Sequence, residues 1–285
     1  MLVSVRLTLR RLRLEALVCL GASVVLALAV HALAWQVATA PTPSAAQSWM
    51  GLVPYAKQAL VVAPILVAIV LGTSLAAAEL ERGTAAFAWS IVPSRVRWLS
   101  ETIASGAILV LVVSIPLAWA SDELSGALGP LVDARSWTWA DPAWSLVLVR
   151  PLVAYAVAWL VGVVVGRSLP ALLTGILVAS LVVGSLELGF AVGRSAVAVS
   201  IDPDTAGTLW LSDSARLPDG RVVPLADAVA IHRSGTSTDP PFVPVTLGLS
   251  KELRREVLAL EIAGSLAAAG VVLLSAGMAV GHRRP

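Results

Sequence analysis

Six apolar runs, each close to 20 residues long, constrain this chain more than any other feature of its sequence. They cover residues 16–36, 58–78, 101–120, 146–166, 170–193 and 257–281. A helix of about 20 apolar residues spans the hydrocarbon core of a bilayer, where only helices and closed barrels satisfy their own backbone groups. No run shows the alternation of a barrel strand. The sequence therefore predicts an all-α integral membrane protein with six transmembrane helices.

The composition excludes several classes of protein. Of the 285 residues, 58 % are hydrophobic and 13 % are charged, whereas a soluble domain carries about 45–50 % apolar and about 25 % charged residues. A soluble enzyme, a disordered tail and a coiled coil are therefore excluded. The formal net charge of +2 comes from basic residues scattered among the loops, without the dense patch that neutralises phosphates. We expect membrane lipid, and no nucleic acid, around this chain.

Basic residues in the short loops predict the orientation of the spans. With the N-terminus inside, the cytoplasmic side holds Arg6, Arg10, Arg11, Arg13, Arg82, Arg95, Arg97, Arg167, Arg283 and Arg284. The two short outer loops hold only Lys57, Arg135 and Arg150. Because Lys and Arg are enriched in cytoplasmic loops, we predict a multi-pass protein of the plasma (inner) membrane with both termini in the cytoplasm.

Two segments outside the spans have structural signals of their own. The first 15 residues place Arg6, Arg10 and Arg13 on one helical face, which predicts an N-terminal interfacial helix; a plain positive-inside anchor is the alternative. Residues 194–255 form a long outer loop between spans five and six, in which Leu217–Arg221 (Leu-Pro-Asp-Gly-Arg) is typical of a tight turn. Ser250 is suited to cap a helix that begins near Lys251.

The loop between spans two and three, residues 79–99, has the most informative residues of the chain. Gly83-Thr84 is suited to end span two and cap a short helix, and Pro93 to end that helix. Phe87 and Trp89 would lie on this helix, with acidic residues before it and arginines after it. Such a helix either docks into a groove on a soluble protein or rests its aromatic rings on lipid headgroups, and the physical argument alone leaves both open.

The residues of this loop resemble those of a known family. Glu-Arg-Gly-Thr at 81–84, Ala-Trp-Ser at 88–90 and Ser-Arg-Val-Arg-Trp-Leu at 94–99 are similar to the cytosolic loop of ABC-2-type transporter permeases. The six-span layout and the long outer loop match as well, so the resemblance extends over residues 1–285 as a single transmembrane domain. It implies that the loop is a coupling helix that contacts a separate ATPase. The implied contact residues are Glu79, Glu81, Arg82, Gly83, Thr84, Phe87, Trp89, Pro93, Ser94, Arg95, Arg97 and Trp98.

The resemblance implies the membrane-spanning subunit of an ATP-driven exporter that moves an amphipathic or hydrophobic compound. The chain has no G-x-x-x-x-G-K-[ST] motif, and neither Lys57 nor Lys251 follows a glycine-rich turn. We therefore expect no cofactor on this chain, with ATP bound by a partner ABC ATPase subunit. Six spans supply half of a path between two such chains, so we also expect a second permease subunit, identical or homologous.

Two alternatives to a permease remain at this stage. One is a polytopic scaffold or sensor subunit that transports nothing. The other is an intramembrane enzyme, for which Gly-Arg-Ser at 166–168 and 193–195 and His31 are the weak signals. We predict no catalytic or metal site.

Two carboxylates inside apolar runs are candidates for a substrate path. Glu187 and Glu261 lie within about two helical turns of the outer ends of spans five and six. A charge at mid-bilayer costs at least about 2.5–3.5 kcal/mol, so such residues usually face a cavity or a partner. The alternative is a residue solvated at the end of its span.

Overall fold

The structure is a computed structural model that describes residues 13–40, 42–81, 95–128, 144–201, 209–233 and 242–282. In chain order its helices are α1 (Arg13–Ala38), α2 (Pro43–Met50), α3 (Val53–Glu81), α4 (Arg95–Leu128), α5 (Trp144–Val165), α6 (Ser168–Val197), α7 (Leu225–Arg233) and α8 (Lys251–His282). The strands are β1 (Val199–Ile201), β2 (Leu209–Arg216), β3 (Val222–Pro224) and β4 (Val243–Leu249).

Six of these helices are long and apolar enough to cross a membrane, which confirms the predicted number of spans. The apolar segments are Leu14–Ala38, Ser48–Ala78, Leu99–Leu128, Trp144–Val165, Ser168–Val197 and Glu252–Val280. Most extend beyond the predicted runs because helical hydrogen bonding continues into flanking residues that hydropathy does not count. The predicted interfacial helix falls mainly on residues 1–12, which lie outside the described residues.

The described residues fall into two compact units. The first lies within Met1–Ala127, Pro142–Glu187 and Ile262–Pro285, and the second within Leu128–Asp141 and Leu188–Glu261. The first unit contains the main apolar core, and the second contains the four strands.

α5 is the central helix of the first unit. In its apolar window 67 % of the residues are buried, against 17 % in α1 and in α8. α5 packs most extensively against α3, and Gly72 is the point of close approach: a Cβ there would lie 2.8 Å from the carbonyl oxygen of Tyr155. The hydroxyl of Tyr155 donates a 3.1 Å hydrogen bond to the carbonyl of Ile103, which links α5 to α4. Small residues thus allow the close packing that stabilises helices in a membrane.

The segment between α6 and α8, predicted to be a long outer loop, contains a sheet, so the prediction of an all-α fold is wrong for this segment. The four strands form an antiparallel sheet in the order β1-β4-β2-β3. β2 has the sequence Leu-Trp-Leu-Ser-Asp-Ser-Ala-Arg, in which three apolar residues precede three polar ones without alternation, and β1 and β3 are three residues long. Strands this short have no detectable period of their own, and their pairing with distant partners provides the hydrogen bonds that define them.

The predicted turn at 217–221 is confirmed. The amide of Leu217 donates to the carbonyl of Arg221 at 2.8 Å, and the amide of Gly220 donates to the carbonyl of Leu217 at 2.9 Å. Gly220 has a φ of +84°, which glycine adopts without steric cost. The amide and guanidinium of Arg221 both donate to Asp219 and hold the pKa of that carboxyl below its ordinary value.

The start of α8 also agrees with the sequence. The amide of Leu253 donates a 3.3 Å hydrogen bond to the hydroxyl of Ser250, the geometry of an N-terminal cap. Leu249 and Val257 are buried just before and after this cap, with Leu211 and Leu253 packed against them. The cap and this small cluster join strand β4 to the first turns of α8 within the second unit.

Candidate functional site

The first predicted substrate-path residue, Glu187 on α6, is paired with an arginine on α5. Nη2 of Arg150 donates a 2.6 Å hydrogen bond to Oε2 of Glu187, and Nε of Arg150 lies 2.5 Å from Oε1. The arginine side chain is 7 % exposed and the carboxylate 32 % exposed. The Nη2 contact has the geometry of a hydrogen bond and the Nε contact does not, so the pair combines a charge-assisted hydrogen bond with a close ion-pair contact. One member of the pair therefore keeps access to solvent while its charge is matched.

The second predicted residue, Glu261 on α8, is paired with Arg194 on α6. Nη1 of Arg194 donates a 2.5 Å hydrogen bond to Oε1 of Glu261, and the side chains are 9 % and 2 % exposed. Oε2 of Glu261 has no hydrogen-bond partner among the residues that the structure describes. This is a buried ion pair, in which each charge compensates the other, although the cost of removing both charges from water can exceed their attraction.

The Arg194–Glu261 pair excludes, for Glu261, one of the two interpretations that the sequence left open. Glu261 is not a solvated residue at the end of its span, because its side chain is 98 % buried against Arg194. Glu187 is half-buried and also neutralised. A role for either residue in lining a substrate path stays a prediction.

The partners Arg150 and Arg194 are residues that the sequence interpretation missed. The sequence predicts Arg150 in a short outer loop and Arg194 at the start of the long outer loop, whereas both lie inside helices. A signal was present: each acid inside an apolar run had an arginine near the end of another run. Which arginine pairs with which acid depends on how the helices pack against one another.

The predicted coupling segment lies largely outside the described residues. Glu79 and Glu81 are in the last turn of α3, and Arg95, Arg97 and Trp98 are in the first turn of α4. The predicted contact residues that lie outside the described part are Arg82, Gly83, Thr84, Phe87, Trp89, Pro93 and Ser94.

Glu81 connects the end of α3 to the start of α6. Its Oε2 accepts hydrogen bonds from the backbone amide of Ser168 at 3.0 Å and from the Ser168 hydroxyl at 2.5 Å. Ser168 is the first residue of α6, and the first turn of a helix has amides without intrahelical acceptors and a positive dipole end. The Glu81 carboxylate accepts from one of these amides and lies at the positive end of the dipole, so Glu81, near the start of the predicted coupling segment, is attached to α6.

The described residues contain no group of three or more His, Cys, Asp and Glu side chains that could hold a metal ion. Two pairs of charged side chains, Arg150–Glu187 and Arg194–Glu261, join different helices of the spans.

A family model described as ABC-2 membrane transporter related matches residues 11–192. This region extends from the start of α1 to near the end of α6 and includes the whole loop between α3 and α4. No curated protein and no solved structure matches the chain significantly.

Proposed function

The chain belongs to the ABC-2 membrane transporter related family, and we propose that it is the membrane-spanning permease subunit of an ATP-driven ABC exporter. The observation that carries the proposal is the family match over residues 11–192, together with six helices of membrane-spanning length. The chain is thus a multi-pass membrane protein. An exported amphipathic or hydrophobic compound is the substrate class that the resemblance implies.

The energy for transport would come from a second chain. The sequence has no phosphate-binding loop of the G-x-x-x-x-G-K-[ST] type. We therefore propose that separate ABC ATPase subunits bind ATP and that this chain carries no cofactor. A second permease subunit, identical or homologous, would supply the other half of the path.

The contact with the ATPase would be the segment 79–99. The bond between Glu81 and Ser168 supports this role, because it connects the beginning of the segment to α6 in addition to α3. A displacement of the segment would then act on three spans: α3 and α4 through the backbone, and α6 through Glu81. A rigid connection of this kind is what transmission of movement requires.

Purification of the tagged chain from its native membrane tests the proposal. We expect a P-loop ATPase to co-purify, and the complex to hydrolyse ATP, because a permease depends on its partner for energy. Mass spectrometry of the eluate and a phosphate-release assay provide the measurement.

The composition of the complex separates the proposal from its alternatives. A scaffold or sensor subunit would purify without a P-loop ATPase, and that result would overturn the exporter proposal. We also expect two six-span chains per complex; a transport-active complex with one such chain would contradict the dimer.

Cysteine labelling tests the predicted orientation. In a Cys19→Ser background, we expect a cysteine at Ser212 to react with a membrane-impermeant maleimide in intact cells, because Ser212 is an exposed residue of β2 in the predicted outer segment. A cysteine at Ser94 should react only after lysis. Ser214 would be a poor reporter because it is 4 % exposed. The reverse labelling pattern would contradict cytoplasmic termini.

A further inference from the structure

A cavity of about 300 Å³ lies between α4 and α5 in the first unit. Its lining residues are Ile115, Ala118, Trp119, Asp122, Trp144 and Leu148. The four residues from α4 have the spacing i, i+3, i+4 and i+7, which places them on one helical face. The lining is thus two indoles, one carboxylate and three aliphatic side chains.

The carboxylate of Asp122 is available to a ligand. Asp122 is exposed and has no hydrogen-bond or ion-pair partner among the residues that the structure describes. The neighbouring Glu123 differs, because its Oε2 lies 3.7 Å from Nδ1 of His31. No described residue therefore matches the negative charge at this cavity.

The two indoles have accessible surface beside this charge. Trp119 is 45 % exposed and Trp144 is 56 % exposed. Trp119 also stacks on His31, with ring centroids 5.0 Å apart and an interplanar angle of 30°. This contact orients one indole against α1 while part of its surface stays free.

Each part of the cavity favours the same chemistry. The face of an indole attracts organic cations more strongly than any other side-chain ring does. A carboxylate adds Coulomb attraction for a cation and repels an anion. Ile115 and Leu148 offer an apolar surface to an alkyl chain.

We propose that this cavity binds an organic cation with an attached apolar chain, such as an alkylammonium compound. Trp119 and Trp144 contact the cationic head, Asp122 matches its charge, and Ile115 and Leu148 contact the chain. The binding proposal does not depend on the proposed function. The further step, that the bound compound is the transported substrate, rests on the proposed function. The site would then specify cationic amphiphiles as the substrate class.

The competing explanation is that these tryptophans only anchor their helices at the membrane interface. The chain contains a matched control for it. Trp35 on α1 is 62 % exposed and does not line the cavity. An anchoring role predicts the same consequence for all three tryptophans, while a binding role separates Trp119 and Trp144 from Trp35.

Equilibrium binding of radiolabelled dodecyltrimethylammonium to the full chain in phosphatidylglycerol nanodiscs tests the proposal, with empty discs subtracted. We expect Asp122→Asn and Trp144→Leu each to weaken binding about fivefold to thirtyfold. Asp122→Glu, which keeps the charge, should bind within about threefold of the unchanged chain. Trp35→Leu and Asp219→Asn should leave the affinity unchanged. A neutral dodecyl analogue with a tert-butyl head should bind less tightly and be insensitive to Asp122→Asn.

Two results would overturn the proposal: no saturable binding above empty discs, or an affinity that neither Asp122→Asn nor Trp144→Leu changes. Discs of phosphatidylcholine identify the source of the cation. If the natural occupant is a lipid, the quaternary ammonium headgroup of phosphatidylcholine would compete for the cavity and abolish probe binding. Equal affinity in both kinds of disc would indicate a free amphiphile. No ATPase is needed for this assay, so a chain that co-purifies with an ATPase but binds no probe would refute the cavity proposal alone.

Discussion

Replacement of Glu261 by alanine is expected to lower the free energy of unfolding by about 3–5 kcal/mol. The change leaves Arg194 buried without its carboxylate, since the two side chains are 2 % and 9 % exposed and joined by a 2.5 Å hydrogen bond. An unmatched charge in a low-dielectric environment is the most costly outcome of breaking a buried pair. Chemical unfolding in mixed detergent–lipid micelles measures the difference.

Two further variants make this prediction specific to the pair. Glu256→Ala removes an exposed carboxylate from the same helix, and we expect it to change stability by no more than about 0.5 kcal/mol. The double replacement Arg194→Leu/Glu261→Leu removes both charges and should restore most of the loss. Equal destabilisation by the single and the double replacement would show that packing, and not charge, is responsible.

Replacement of Trp89 by alanine is expected to weaken association with the ATPase by about 30-fold, or to uncouple ATP hydrolysis from transport. The segment resembles a coupling helix, and Phe87 and Trp89 are the aromatic side chains between Gly83 and Pro93. Truncation of an aromatic anchor at an interface commonly costs about 2 kcal/mol or more. Co-purification of the ATPase and the ATPase rate of the complex are the two measurements, with membrane insertion verified in parallel.

Arg97→Ala is the control for this prediction. An exposed ion pair contributes about 0–1 kcal/mol, so loss of one peripheral arginine should change association by a few-fold at most. If Trp89 only rests on lipid headgroups, Trp89→Ala will retain normal ATPase co-purification and normal transport. That result would end the assignment of residues 79–99 as the coupling segment.

Much of the fold could be predicted because it depends on local sequence. Each span satisfies its backbone hydrogen bonds internally, so the length and polarity of one run are sufficient to identify it. The turn at 217–221 and the cap at Ser250 depend on residues within four positions of each other. The sheet could not be predicted because the pairing of its strands is not local in sequence. β1 is three residues long and pairs with β4, about 45 residues later in the chain.

By itself, the sequence determined the number of spans, the turn, the helix cap and the family of this protein. It also identified Glu187 and Glu261 as unusual carboxylates. Only the tertiary structure decided their partners, because the pairs Arg150–Glu187 and Arg194–Glu261 join residues 37 and 67 positions apart. The bond from Ser168 to Glu81 spans 87 positions, and the cavity needs one face each of α4 and α5. Which faces meet depends on the packing of several helices at once, and no single run of residues contains that information.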